Sequence, residues 1–172
     1  NLRLIAVTSG VEKNPCVAHV RRALRFLVAF ESAPNLSSPT DISALAMQLN
    51  QTSSSIVSLT NTPTISEVDP VAAGNRTLDD WSAYLVYRTV GVGIDGAEVD
   101  IEPTYDPLIF STSVISTGPN DEHPAISKYA NDAGNRRLMV AWESLENRTF
   151  PAIAARTIDM DSTRFDQGFF VS

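Results

Sequence analysis

MVAWES, at residues 139–144, is one of three related segments; the others are LVAFES at 27–32 and YLVYRT at 84–89. Each segment has an aromatic residue at its fourth position and a charged residue directly after it. Similarity that recurs in a fixed order along a chain is typical of repeat architectures. We therefore predict three equivalent units, with the recurring aromatic residue packed between neighbouring units. These aromatic residues are Phe30, Tyr87 and Trp142.

Each of these segments lies second in a series of four. The first segments are NPCVAHV at 14–20, TPTISEV at 62–68 and HPAISKY at 123–129. The third segments are SALAMQLN at 43–50, AEVDIE at 97–102 and AIAARTID at 152–159. The fourth segments are SSIVSLT at 54–60, IFSTSVIST at 109–117 and QGFFVS at 167–172. Four segments per unit predict four antiparallel strands in repeat 1 (14–60), repeat 2 (62–117) and repeat 3 (123–172) of one continuous domain.

The third repeat also carries a family resemblance. From Met139 to Ser172 it contains VAWES, ARTID and FFVS in that order, and this pattern resembles the blade repeats of bacterial and environmental extracellular β-propeller proteins. The resemblance implies an all-β fold of three four-stranded antiparallel blade-like repeats. Closed propellers have about four to eight blades, so three repeats predict a propeller-like arrangement that can remain open. Such repeats indicate the fold more firmly than the function.

One stretch favours a helix when it is considered alone. In residues 41–49, Asp41 is a suitable N-cap and the apolar residues recur with helical spacing. The aligned segments of the other repeats are rich in β-branched residues and contain Pro103 or Pro151, which a helix interior does not tolerate. We therefore predict a strand in residues 41–49.

The N-terminal residues 1–10 resemble a fourth segment without a repeat before it, since LIAVTSG at 4–10 matches TSVISTG at 112–118. We predict an orphan strand there. An unpaired apolar strand can complete the sheet of another molecule, and repeated head-to-tail addition builds a filament. The predicted partner is therefore a second copy of the chain. The predicted assembly residues are Leu2, Leu4, Ile5 and Val7.

Composition excludes several classes of protein. The formal net charge is -7 and the basic residues are not clustered in the sequence, which argues against nucleic-acid binding. No apolar run approaches the roughly 18 residues of a membrane-spanning helix. The single cysteine, Cys16, excludes an internal disulfide, and we interpret it as a small buried apolar residue. The sequence begins at Asn1 without a leader, so we expect any targeting segment to be removed or to lie outside it.

Four N-x-S/T sequons predict a secreted or cell-surface glycoprotein with N-linked glycans. All four fall in predicted loops, where a glycan can project into solvent. Asn61 is not a sequon, because no Ser or Thr follows two residues later. The sequon residues are Asn35, Asn50, Asn75 and Asn147.

Candidate chemistry is sparse, and we predict that the chain is not an enzyme and needs no cofactor. GVGIDG at 91–96 fits a dinucleotide-binding pattern but is not followed by a helix, so we interpret it as a hairpin loop. Glu98, Asp100 and Glu102 alternate on one strand face and are a weak calcium candidate. The preferred interpretation of these carboxylates is a solvated strand; a glycosidase acid and base is the other.

Three functions remain open from the sequence. The first is a non-catalytic, self-assembling structural subunit of a secreted glycoprotein or fibril, joined by strand addition between copies. The alternative is a propeller module that binds carbohydrate or a surface ligand, for which an exposed Trp81 could stack on a sugar. The third is a glycan-active enzyme, which needs carboxylates that converge from different repeats.

Overall fold

The computed structural model describes residues 9–48, 54–74, 81–102, 106–128, 130–132, 135–145, 150–159, 164–165 and 169–171. The elements within these ranges are all β-strands, arranged in three antiparallel sheets, so the all-β prediction is confirmed. A helix long and apolar enough to cross a membrane is not found in the described residues. The predicted N-terminal assembly residues Leu2, Leu4, Ile5 and Val7 lie outside these ranges.

Each sheet is built from consecutive strands. Sheet 1 contains β1 (Val11–Val20), β2 (Arg25–Ala33), β3 (Asp41–Met47) and β4 (Val57–Ser58) in that spatial order. Sheet 2 contains β5 (Glu67–Gly74), β6 (Ser82–Thr89), β7 (Gly93–Asp100) and β8 (Leu108–Val114), also in order. Sheet 3 contains β9 (Glu122–Ile126), β10 (Ala130–Asp132), β11 (Asn135–Ser144), β12 (Ala152–Asp159), β13 (Arg164–Phe165) and β14 (Phe169–Val171). In sheet 3, β9 and β10 both pair with β11, while β13 and β14 both pair with β12.

The segment with helical spacing is a strand, as predicted. β3 pairs with β2 along its whole length and with β4 on its other side. Ile42 and Ala44 are buried on one face of this strand and Leu45 on the other. A strand covered on both faces has a nearly continuous apolar sequence instead of a simple alternation, and this explains why periodicity alone favoured a helix.

The three sheets pack face to face in chain order. Leu27 and Ala29 of sheet 1 share a core with Leu85 and Tyr87 of sheet 2. The opposite face of sheet 2 packs on sheet 3 in a second core, which includes Tyr84, Val86, Val140 and Trp142. Sheet 2 is therefore covered on both sides. Among the described residues the stack is open and does not close into a propeller ring.

All three recurring aromatic residues are buried, but the prediction that they pack between neighbouring units is confirmed only for Tyr87 and Trp142 and is wrong for Phe30. Tyr87 and Trp142 lie in the two cores between sheets. Phe30 is also buried, but it packs with Val28 and Leu45 on the outer face of sheet 1. The sequence alignment therefore gave the correct strand position, while the neighbours of each ring depend on which face the adjacent sheet covers.

A left-handed residue followed by proline marks the first strand of each sheet. Asn14, Asp69 and His123 have φ values of 49, 53 and 50°. Each precedes a proline, and each lies at or beside an irregularity in the pairing of its sheet. Asn, Asp and His are the non-glycine residues that tolerate this conformation best. The prolines, Pro15, Pro70 and Pro124, are 55 and 54 residues apart.

This regular spacing corrects one sequence alignment. The segment at 62–68 was aligned through Pro63, but Pro63 lies in a turn before β5, which begins only at Glu67. The position that matches Asn14 and His123 is therefore Asp69. An alignment through Pro63 places it 48 residues after Pro15 and 61 before Pro124, whereas Pro70 gives nearly equal intervals.

A buried glutamate joins sheet 1 to sheet 2. The side chain of Glu31 is fully buried, and its Oε2 lies 3.0 Å from the Lys13 ammonium. Its Oε1 accepts hydrogen bonds from the Asn14 amide at 2.6 Å and from the backbone N–H of Asp69 at 2.9 Å. A second polar contact joins sheet 2 to sheet 3, where the guanidinium of Arg88 donates to Glu122 at 2.6 Å. Buried charge is tolerated only when it is paired and hydrogen-bonded, so Glu31 fixes how the two sheets meet.

The backbones of sheets 1 and 2 also approach closely at Gly74. A Cβ atom added there would lie 1.9 Å from the carbonyl oxygen of His19. No side chain fits into that space, because both neighbouring groups belong to backbone. Glycine is therefore required where β5 passes β1.

We predict that Glu31→Ala strongly destabilises the protein. The substitution leaves the Asn14 amide and the Asp69 N–H without their acceptor and removes the partner of Lys13. A buried donor left without its acceptor costs about 1 to 3 kcal/mol, whereas the half-exposed Lys13 ammonium can be solvated; the loss is to be measured by urea unfolding.

The matched control is Glu143→Ala. Glu143 follows Trp142 as Glu31 follows Phe30, but its side chain is about half exposed and lies 3.5 Å from His123. An exposed pair contributes less than about 1 kcal/mol. Equal losses of stability in the two variants would contradict the importance assigned to Glu31.

Candidate functional site

The outer strand of sheet 2, β8, exposes apolar side chains along a sheet edge. Among the described residues it pairs with β7 and with no strand on its other side. Leu108, Phe110 and Val114 are 67%, 77% and 56% exposed. Edge strands of soluble proteins are usually protected by charge or by a covering segment. This edge is therefore a candidate surface for pairing with another strand.

A bulge displays Phe110 on this edge. Ser111 pairs with Glu98, whereas Ile109 pairs with the next residue, Val99, so Phe110 is the extra residue in the ladder. An extra residue bends the strand and changes the direction of its side chain. Phe110 is consequently among the most exposed large apolar side chains of the described residues.

The open end of the stack is a second exposed surface. The outer face of sheet 3 includes Met139 and Ile153, which are 46% and 44% exposed. Residues at the matching position of sheets 1 and 2, Leu27 and Tyr84, are buried because the next sheet covers them. The outer face of sheet 3 is the corresponding face without a cover among the described residues.

Two of the three carboxylates proposed as a weak calcium candidate, Glu98 and Asp100, have hydrogen-bond partners within the chain. Glu98 accepts from the Ser82 hydroxyl at 2.9 Å and from the Ser111 hydroxyl at 3.5 Å. Asp100 accepts the backbone N–H of Glu102 at 3.0 Å. Within the described ranges, no group of three or more His, Cys, Asp or Glu residues is placed to hold a metal ion.

A separate acidic cluster lies where sheet 1 meets the start of β5. Glu67 is almost fully buried and accepts hydrogen bonds from the Thr62 hydroxyl at 2.5 Å and the Thr60 hydroxyl at 3.1 Å. Burial raises the pKa of its carboxyl group, and the nearby Asp41 raises that pKa further, while the two threonines lower it. Burial is also the main cause of the raised pKa of Tyr87, with contributions from Asp95 and Glu67.

The sequon residue Asn35 lies in an exposed turn after β2. Its side-chain Oδ1 accepts the backbone N–H of Ser37 at 2.9 Å, and its carbonyl accepts the N–H of Ser38 at 3.3 Å. The turn location agrees with the predicted loop. The other three sequon residues, Asn50, Asn75 and Asn147, lie outside the described residues.

Trp81 does not present a free aromatic face. The guanidinium carbon of Arg22 lies 4.5 Å from the centre of the Trp81 ring, and the ring packs against the core between sheets 1 and 2. A cation over the ring stabilises this arrangement. A sugar would have to displace Arg22 in order to stack on that face.

GVGIDG begins in the tight turn between β6 and β7, where Gly91 has a φ of 77°, and its last four residues are the start of β7. The hairpin interpretation is therefore confirmed.

Cys16 is partly exposed and packs against the first core, and burial raises the pKa of its thiol to about 11. A thiol with a raised pKa is less reactive than an ordinary one.

Sequence analysis missed Glu31, Glu67 and the exposure of Phe110. For Glu31 a signal was present, since a charged residue follows the recurring aromatic residue in all three repeats. For Glu67 and Phe110 the local sequence offers no comparable signal, because burial and exposure there depend on how the sheets are placed.

Comparison with known proteins adds no relative: no family model matches the chain, and neither does any curated protein.

The raised pKa of Glu67 predicts a specific pH dependence. The pKa of Glu67 in the folded protein is above its ordinary value of 4.5. The contribution of this group to stability is therefore greatest at low pH, where the carboxyl is protonated in both the folded and the unfolded states. That contribution decreases as the pH rises from the unfolded pKa through the folded pKa. Glu67→Gln keeps an acceptor for the threonines without ionising. We expect its stability relative to the wild type to increase as the pH rises above the ordinary glutamate pKa of 4.5, measured by urea unfolding at each pH. A pH-independent difference would contradict this assignment.

Proposed function

We propose that this chain is a structural, self-associating module of a secreted glycoprotein whose copies join by β-strand addition. The observation that carries the proposal is the exposed apolar edge at β8. A strand added there would form main-chain hydrogen bonds with β8 and would cover Leu108 and Phe110. Burial of each large apolar side chain contributes about 1.5 to 3 kcal/mol.

The N-terminal segment is the proposed donor of that strand. Residues 4–10 resemble residues 112–118, which overlap the end of β8, so the segment has a composition suited to the edge of this sheet. Addition in trans would place the donor of one copy on β8 of the next. Because donor and acceptor are different surfaces, the contact is heterologous, and repeated addition gives a filament unless the geometry closes.

The proposed blade-like organisation is supported by the repeated geometry of the three sheets. Each sheet has a left-handed residue before proline in its first strand. The core contacts follow chain order, from sheet 1 to sheet 2 to sheet 3. The proposed extracellular location is supported by the sequons, of which Asn35 lies in an exposed turn.

The alternative function is a ligand-binding module. A cavity between the first strands of the sheets favours it, whereas Trp81, whose face is occupied by Arg22, does not. The two functions are compatible, because the cavity and the β8 edge are formed by different residues.

We predict that Phe110→Lys reduces self-association. A charged side chain on the edge opposes the approach of a second strand, so the apparent mass at a given concentration should fall, as measured by light scattering after size-exclusion chromatography. The control is Leu36→Lys, which adds the same charge at a loop leucine that is 89% exposed.

Two outcomes would contradict the proposal in different ways. A wild-type chain that is monomeric at high concentration would exclude self-association altogether. Assembly that survives Phe110→Lys would exclude the β8 edge as the acceptor. Deletion of residues 1–8 tests the donor separately, and it should reduce assembly without changing the unfolding of the three sheets.

We predict that Asn35 carries a glycan when the chain is secreted by a glycosylating host. Asn35→Gln should remove one glycan, which is detected as a lower mass of the secreted protein. Enzymatic deglycosylation of the wild type should lower the mass of the peptide that contains Asn35. Asn61→Gln is the control, because Asn61 is not in a sequon and should not change the mass of the attached glycans. An unmodified Asn35 peptide would contradict the prediction.

A further inference from the structure

The first strands of the three sheets converge on a cavity of about 310 Å³. This volume is at the lower end of the range for small-molecule sites. β1 and β5 each contribute three consecutive residues to its lining. β9 contributes its last residue, Ile126, and the two residues that follow it. The lining residues are Val17, Ala18, His19, Ala72, Ala73, Gly74, Ile126, Ser127 and Lys128.

Small residues create the space. The β5 segment that lines the cavity is Ala72, Ala73 and Gly74, and Gly74 touches the backbone of His19. The close approach of two backbones fixes one wall, so the cavity is a consequence of the way sheet 1 meets sheet 2. Val17 and Ile126 add apolar surface to the lining.

At the β9 side of the cavity, the Ser127 hydroxyl and the Lys128 ammonium can donate hydrogen bonds to a ligand. The Ser127 hydroxyl oxygen accepts the backbone N–H of Met139 at 2.9 Å, and the Ser127 N–H donates to the Met139 carbonyl at 2.8 Å. These bonds fix the serine, whose hydroxyl hydrogen can then be donated to a ligand. Lys128 is the next residue and supplies an exposed ammonium group.

The charge of the lining is opposite to that of the chain. The protein carries a formal net charge of -7, yet the described residues that line the cavity include Lys128 and His19 and no Asp or Glu. An ammonium group and a hydroxyl donor favour an anionic oxygen group, and the apolar remainder favours a ligand with a small carbon body.

We infer that this cavity binds a small carboxylate, with Lys128 and Ser127 contacting the carboxylate group and the apolar residues contacting its carbon skeleton. The ligand is either a free organic acid or an acidic sugar residue of a glycan, since both present the same group. This site is independent of the β8 edge, so it does not depend on the proposed assembly.

The experiment titrates the full chain with two matched pairs of probes and follows amide shifts by NMR. Glucuronate and glucose differ in a carboxylate on a sugar ring; butyrate and butanol differ in a carboxylate on a short apolar chain. We expect at least one carboxylate to shift the amides of residues 17–19, 72–74 and 126–128, and its neutral counterpart not to do so. Glucuronate alone would indicate a glycan-borne acid, butyrate alone a free acid, and both a site that reads the carboxylate itself.

Variants test the assignment of Lys128. Lys128→Gln should weaken binding at least tenfold, while Lys128→Arg should retain most of it. Arg137→Gln is the control, because it removes one exposed positive charge outside the lining and should leave binding unchanged. Thermal unfolding should be the same in all three variants, since both side chains are exposed. The proposal is overturned if no carboxylate binds, if the neutral probes bind equally, or if Arg137→Gln weakens binding as much as Lys128→Gln.

Discussion

The burial of one carboxylate, that of Glu31, constrains how the first two sheets meet. A charged group that is removed from solvent must be paired and hydrogen-bonded within the protein. Two of its partners, Lys13 and Asn14, lie on the neighbouring strand, but the third is the backbone N–H of Asp69 in sheet 2. Asp69 donates this N–H from a left-handed backbone conformation directly before Pro70. The contact therefore links a local backbone choice to the packing of two sheets.

The same arrangement explains the remaining architecture. With sheet 1 fixed on one face of sheet 2, the other face is left for sheet 3, and Arg88 and Glu122 form the polar contact there. The two cores on either side make sheet 2 the most enclosed of the three. Its outer strand, β8, lies at the margin of the cores: Ile109 packs against the first core, while Phe110 on the same strand is exposed.

The two surfaces with proposed functions arise at opposite edges of the sheets. The first strands converge and line the cavity that includes Lys128, while the fourth strand of sheet 2 lies at a sheet edge and can accept a partner. An ordered series of sheets produces both features at once, because the first strands of the three sheets face one another while the outer strand of sheet 2 is exposed. Ligand binding and self-association can therefore coexist in one chain without competing for residues.

The sequence by itself determined that the chain is all-β, but it predicted four strands for the third sheet, which has six. Recurring aromatic residues located the second strand of each sheet, and the comparison between repeats correctly replaced a helix at 41–49 by a strand. Tertiary structure decided the alignment of the second repeat, which runs through Asp69 and not through Pro63. It also decided the register of the third strands. The residues opposite the three aromatic residues are Ser43, Asp95 and Ala154. The segments aligned by sequence begin at Ser43, Ala97 and Ala152, so two of the three positions differ from that alignment by two residues. The physical reason is that side chains in a strand repeat every two residues, so a shift of two leaves the apolar pattern unchanged. The alternatives are distinguished only by contacts in the folded chain. These contacts are the hydrogen-bond register of the strands and the bond between Glu31 and the N–H of Asp69, 38 residues further along the chain.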